Sequence, residues 1–255
     1  MTNRNSHITT VFPVAGGNGA AYTTIQMARA LREVEKYKKI AVVDFDFASP
    51  ILGEGLHDDK THGIDMLVDK INGGILTTDS FLENMIDLKN DIHLLRGTQL
   101  GYRFPFVEQE HLEEIIKFLR EEYDYIFISV SDELTDGGTG TALYHADTVV
   151  VVGRYTQKNQ YKLKEAVHTI ENYVSTEDVA LIYNQYVDQN KLEFSAQIPN
   201  DWVFCGTVPY MPGTIDNHSS LISGFSFGKG KDADIAKETY EEIIEKFFKL
   251  DEGED

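Results

Sequence analysis

Apolar residues recur along this chain in two rhythms. Short stretches dominated by apolar side chains occupy residues 8–14, 39–46, 91–97, 123–131, 146–152, 179–185 and 204–210, most of them closed by an acid, a glycine or a proline. Stretches of that length, bounded by turn residues, read as strands buried on both faces. Between them the apolar positions fall three or four apart: Ile25, Ala28 and Leu31 in residues 20–36, Leu112, Ile115, Ile116 and Leu119 in residues 111–122, and Tyr240, Ile243, Ile244 and Phe247 in residues 231–250. That is the spacing of a helix with one buried stripe. A further helix runs from near Lys158 through Val167 and Ile170, and residues 63–69 and 81–86 read as two short ones within the otherwise poorly patterned stretch 52–90. Strand, glycine turn, helix and strand follow one another over residues 8–46, a βαβ unit whose parallel strands need a right-handed crossover. The pattern predicts an α/β fold with a mostly parallel central sheet and helices on both faces, in one domain over residues 1–255.

One break in the pattern points to chemistry. The first apolar run gives way to Gly16-Gly17-Asn18-Gly19 and resumes with helical spacing at Ala20. Glycines let the backbone curl until successive N–H groups face one concavity, and the following helix aims its positive end at the same place. The loop also falls at the carboxyl end of a strand, where open α/β sheets bind ligands. This is the outline of a phosphate loop. A working one needs a lysine for the β- and γ-phosphates and a hydroxyl for magnesium, and those places hold Ala20 and Ala21.

Ala15-Gly16-Gly17-Asn18-Gly19-Ala20-Ala21-Tyr22 aligns without a gap on the deviant Walker A pattern K-G-G-x-G-K-T-T. The chain thereby resembles the ParA/MinD family of P-loop NTPases, which implies a MinD-like version of the fold. In that family the first lysine reaches across a dimer and the second is the ordinary phosphate-loop lysine; both are alanine here. The resemblance places cofactor-binding positions at Gly16, Gly17, Asn18, Gly19, Ala20 and Ala21. It adds Asn184, matching an asparagine that contacts adenine, and Pro209 in the adenine-side loop. Asp46, in Asp44-Phe45-Asp46, matches the acid that positions the attacking water, although acids closing a buried strand also simply face solvent. Tyr123-Asp124-Tyr125 opens a Walker B-like strand with Ser129 where the magnesium-side aspartate belongs. With Ala15, Ala20, Ala21 and Ser129 in these places, Asp46 is a vestige. The expectation is no catalytic residue, no metal, and weak binding of ATP, ADP or phosphate. The alanines together with Tyr22 are expected to leave a small apolar surface for self-association.

Charge narrows the partners. The chain carries 42 acidic against 23 basic side chains, a formal charge of −19, a background that repels nucleic-acid phosphates and anionic lipid surfaces. Direct nucleic-acid binding is not expected. Arg154, Lys158, Lys162 and Lys164 form a local basic cluster, read as a solvated helix face. The single cysteine, Cys205, excludes an internal disulfide framework, the start of the chain has no apolar signal core, and no apolar run reaches the roughly 20 residues of a spanning helix. Residues 251–255 are acidic, whereas MinD-like membrane anchors are basic. A cytoplasmic protein without its own membrane anchor is expected. No His/Cys metal spacing or nucleophile-elbow motif competes with the glycine loop.

The functional expectation is a non-hydrolysing, MinD/ParA-like scaffold. It would act as a homodimer through contacts with protein partners, organising or localising a membrane-associated, cell-surface machine of the pilus or secretion type. The two short helices before the strand at 91–97 look like the corresponding stretch of TadZ- and CpaE-like pilus-assembly relatives. Two alternatives stay open: a slow ATPase whose lysine comes from elsewhere in the chain or from a partner, and a regulator that forms mixed dimers with an active relative.

Overall fold

The computed structural model describes residues 6–53, 63–88, 90–98, 106–133, 137–187, 202–211 and 230–248. The acidic tail at 251–255 and the last residues of the helix expected over 231–250 lie outside them. Eight strands form one sheet: β1 (His7–Pro13), β2 (Ile40–Phe45), β3 (Ile86–Asp87), β4 (Ile92–Leu95), β5 (Tyr125–Val130), β6 (Thr148–Gly153), β7 (Val179–Tyr186) and β8 (Val203–Pro209), in the order β3-β4-β2-β5-β1-β6-β7-β8. All neighbours are parallel except β3, which runs antiparallel to β4. Every residue of β2, β5 and β6 is buried, because parallel sheets are covered on both faces and their strands need apolar side chains on each.

The helices α1 (Ala20–Val34), α2 (Ile64–Asn72), α3 (Thr78–Leu82), α4 (Gln109–Glu122), α5 (Gly137–His145), α6 (Gln157–Ile170) and α7 (Lys231–Phe247) supply that cover. Alternation along β5 shows the division. Ile126, Ile128 and Val130 pack with Leu112, Ile115, Ile116 and Leu119 of α4, while Tyr125 and Phe127 pack with Ile25, Ala28 and Leu31 of α1 and Tyr240, Ile243 and Ile244 of α7. The apolar stripes read from the sequence are the faces turned to the sheet.

Three local differences from the expected pattern have physical causes. The first helix stops at Val34 rather than near residue 36, because the Arg32 guanidinium gathers the carbonyls of Glu35, Lys36, Lys38 and Asp91 and turns the chain toward β2. The short helix expected over 81–86 is earlier, at Thr78–Leu82. Thr77 and Ser80 form its capping box, the Asn84 amide donates to the Ser80 carbonyl, and Ile86 leaves to pair with Leu94. Helix α5 has no helical signal, since Gly137, Gly138 and Gly140 disfavour one. Tertiary contacts hold it: Thr10 Oγ1 donates to the Ala142 carbonyl and Arg120 Nη2 to that of His145.

Because β1, β2, β5, β6, β7 and β8 are parallel, their carboxyl ends gather at one edge of the sheet. The glycine loop, Asp44, Asp46, Ser129 and Asn184 all sit at that edge.

Candidate nucleotide site

The loop between β1 and α1 curls as its glycines allow. Gly17 and Gly19 have φ of 80° and 92°, in the left-handed region where a side chain is strained. Gly19 is bound to its identity twice, since a Cβ there would also overlap the Asn184 amide nitrogen. Asn18 N–H closes the turn on the Ala15 carbonyl at 3.2 Å, and Thr23 N–H makes the first helical bond to Gly19. Among the described residues, the N–H groups of Gly16, Gly17, Gly19, Ala20 and Ala21 have no acceptor. They form an open row of donors at the start of a helix with no acid in its first turn, the arrangement that favours an anion.

Side chains fix this loop more firmly than the motif alone implies. Asn18, 2% exposed, donates its amide to the Val152 carbonyl at 3.1 Å and to Asn159 Oδ1. Asn159 Oδ1 also accepts Arg154 N–H at 2.9 Å, and Thr156 caps α6 by accepting from Asn159 N–H. From the other side Asn184 Nδ2 donates to the Asn18 carbonyl at 2.8 Å while its Oδ1 accepts Gln185 N–H. Asn184 thus lines the cleft and also clamps the loop, with one donor and one acceptor already engaged. Asn159 was not foreseen; nothing in its spacing distinguishes it, and only the approach of α6 to the loop gives it a role.

The cleft over the loop has a volume of about 460 Å³ and is lined by all eight positions assigned from the sequence: Gly16, Gly17, Asn18, Gly19, Ala20, Ala21, Asn184 and Pro209. Asp44, Asp46, Ser129, Asp132 and Glu133 line it as well, and no lysine, arginine or histidine does so among the described residues. Asp44 is wholly buried and accepts the N–H groups of Asp46 at 3.1 Å and Leu52 at 2.8 Å. It therefore shapes the turn after β2. Burial holds its carboxyl well above the usual range, against the opposing pull of those bonds. Asp46 accepts Ser49 N–H at 2.9 Å; burial raises its pKa and the Asp132 charge adds to the rise. Asp132 and Glu133 were not singled out from the sequence. The only hint was their place just past a buried strand.

Two expectations are revised. Ala15, Ala20 and Ala21 are 2%, 7% and 7% exposed, so they present no apolar contact surface; without long side chains they sink among their neighbours, and Tyr22 is half-buried beside them. The basic cluster is not one solvated face either. Lys158 and Lys164 are exposed, but Lys162 turns back to Asp132, Nζ to Oδ2 at 2.5 Å.

The residues fit a nucleotide only in part. The backbone donors suit a phosphate, whereas the donor set for magnesium is missing: position 21 has no hydroxyl and position 129 no carboxylate. Among the described residues no group of three His, Cys, Asp or Glu side chains is placed to hold a metal ion, and no helix is long and apolar enough to cross a membrane.

A family model described as an AAA domain matches residues 6–182. No curated protein matches the sequence. Among solved structures, a ParA family ATPase from Chlorobium tepidum TLS superposes with a TM-score of 0.75 at 12% identity, over 94% of this chain and 98% of that one. The septum site-determining protein MinD of Pyrococcus horikoshii OT3, complexed with Mg-ADP, superposes with a TM-score of 0.74 at 19% identity, over 93% and 96%. A chain of the MinC:MinD cell division protein complex of Aquifex aeolicus gives 0.70 at 14% identity, over 94% and 96%. The fold is that of the MinD/ParA P-loop NTPases.

Proposed function

The chain belongs to the AAA domain family, and from that premise we propose that it is a non-hydrolysing, MinD/ParA-like scaffold of a single domain. It acts as a homodimer in the cytoplasm and organises or localises a cell-surface machine of the pilus or secretion type through contacts with protein partners. One observation carries this reading: the cleft keeps the backbone half of a phosphate site while Ala15, Ala20, Ala21 and Ser129 leave it without cation or magnesium ligand, and Asp44, Asp46, Asp132 and Glu133 make it acidic. A missing transition-state cation costs roughly 10³-fold or more in rate, whereas a lost hydrogen bond to a charged group costs about 1.5–3 kcal/mol in binding. Catalysis is thus lost before binding. ATP, ADP or phosphate binds weakly on the free N–H row, without a metal, and Asp46 has nothing to position.

The Aquifex MinD found in a complex with MinC is the model for work done through protein contacts. The two short helices α2 and α3, which precede β4 with the short strand β3 between, are the feature that favours the TadZ/CpaE branch. The charge of −19 sets nucleic acid aside as a direct partner.

Purified protein should hydrolyse ATP at the background rate, and Ala20→Lys should tighten ATP binding without restoring turnover, since the metal side stays incomplete. Phosphate release above background that disappears in Asp46→Ala would overturn the reading and favour the slow ATPase.

A further inference from the structure

The ion pair between Lys162 and Asp132 has a position that its family-assigned neighbours do not explain. Asp132 follows β5, and its Oδ1 lies 3.6 Å from where a Cβ on Gly16 would stand, so the carboxylate overhangs the row of free N–H groups. Its other oxygen holds Lys162 Nζ at 2.5 Å. The two side chains are 19% and 34% exposed, partly withdrawn from water. Lys162 comes from α6, whose first turn is tied to the loop through Asn159 and Asn18. One turn separates Asn159 from Lys162, so both project from the side of α6 that faces the loop, Asn159 to Asn18 and Lys162 to Asp132 at the edge of the cleft. Among the described residues, the other three carboxylates of the cleft, Asp44, Asp46 and Glu133, have no cationic partner.

We propose that Lys162 is the cation that accompanies an anion into the glycine cradle, in place of the side chains absent at positions 15 and 20, and that Asp132 competes with the anion for it. With the pair closed, an incoming phosphate meets the Asp132 carboxylate and a lysine already neutralised. With the pair open, the ammonium turns from Asp132 to the phosphate oxygens, and the cradle gains one positive charge. Asp132 therefore sets the affinity of the loop and Lys162 supplies it. The inference rests on the reading of the loop as a weak phosphate site, and it names the side chains that decide how weak.

Titration calorimetry with inorganic pyrophosphate and with ADP, at low ionic strength and without metal, tests it on the full chain. Asp132→Asn should tighten binding about tenfold, and Lys162→Gln should weaken it by about the same factor, the worth of one charge-assisted hydrogen bond. Lys162→Arg should bind within a few-fold of the wild type. In the double variant, Asp132→Asn should lose most of its benefit, because the lysine it releases is gone. Tightening by Asp132→Asn that is undiminished in the Lys162→Gln background would overturn the proposal while leaving the phosphate site standing, since the gain would then be the removal of one negative charge. Absence of binding in every variant, with unchanged circular dichroism, would overturn both this proposal and the reading beneath it.

Discussion

Asp46 shows how the surroundings of a single side chain leave a measurable mark on stability. Its pKa is raised, chiefly by burial, with bonds from Ser49 and Ala48 N–H opposing and the Asp132 charge assisting. The folded chain therefore holds this proton at pH values where the unfolded chain has released it. Stability from the group is fully present below the unfolded pKa, near 3.9 for an ordinary aspartate, and is lost as pH rises through the raised value. Melting temperatures of wild type and Asp46→Asn, followed upward from about pH 4, should separate in favour of the variant. A constant gap would show that the surroundings of Asp46 do not raise its carboxyl. At Gly19 the backbone and Asn184 act together, so Gly19→Ala should cost about 1–3 kcal/mol in denaturant unfolding. A loss below ~0.5 kcal/mol would mean that the loop relaxes without its left-handed turn.

At the scale of elements, the sheet-facing stripes supply much of the buried apolar core. Leu119 of α4 is fully buried against the sheet, and Leu119→Ala should destabilise by about 2–5 kcal/mol, the range for a large core side chain that leaves a cavity. Chemical denaturation gives the number, and a change under 1 kcal/mol would contradict the packing of α4. Elements with a regular apolar period were legible because propensity and burial agree in them. Helix α5 was not, since Gly137, Gly138 and Gly140 speak against a helix, and side chains distant in sequence, Thr10 and Arg120, bond its carbonyls. The edge strand β3 was missed for a related reason: two residues, Ile86 and Asp87, take their conformation from pairing with β4 and not from any local pattern.

For the whole molecule, the charge of −19 acts on association. Like-charged protomers repel over roughly 8–10 Å at moderate ionic strength, and salt shortens that reach. The homodimer proposed above should therefore form without ATP and strengthen as salt is raised, with light scattering as the measurement. A monomer at every salt concentration would remove it. The burial of Ala15, Ala20 and Ala21 means that such an interface cannot be built on those side chains, so Ala15→Glu is expected to disturb the loop itself and is a poor probe of association.

Sequence alone determined the parallel α/β sheet, the loop at residues 16–19 and the absence of a lysine at positions 15 and 20, of a hydroxyl at 21 and of a carboxylate at 129, because these rest on periodicity and on residue identity. All eight positions assigned to the site do come to one cleft. What surrounds them was decided by the tertiary structure. Asn159 and Asn184 clamp Asn18 from opposite sides, and Asp132 meets Lys162 across 30 residues. Such contacts have no local signature. They exist because parallel strands bring their carboxyl ends to one edge, so that residues far apart in the chain share the same few ångströms of space.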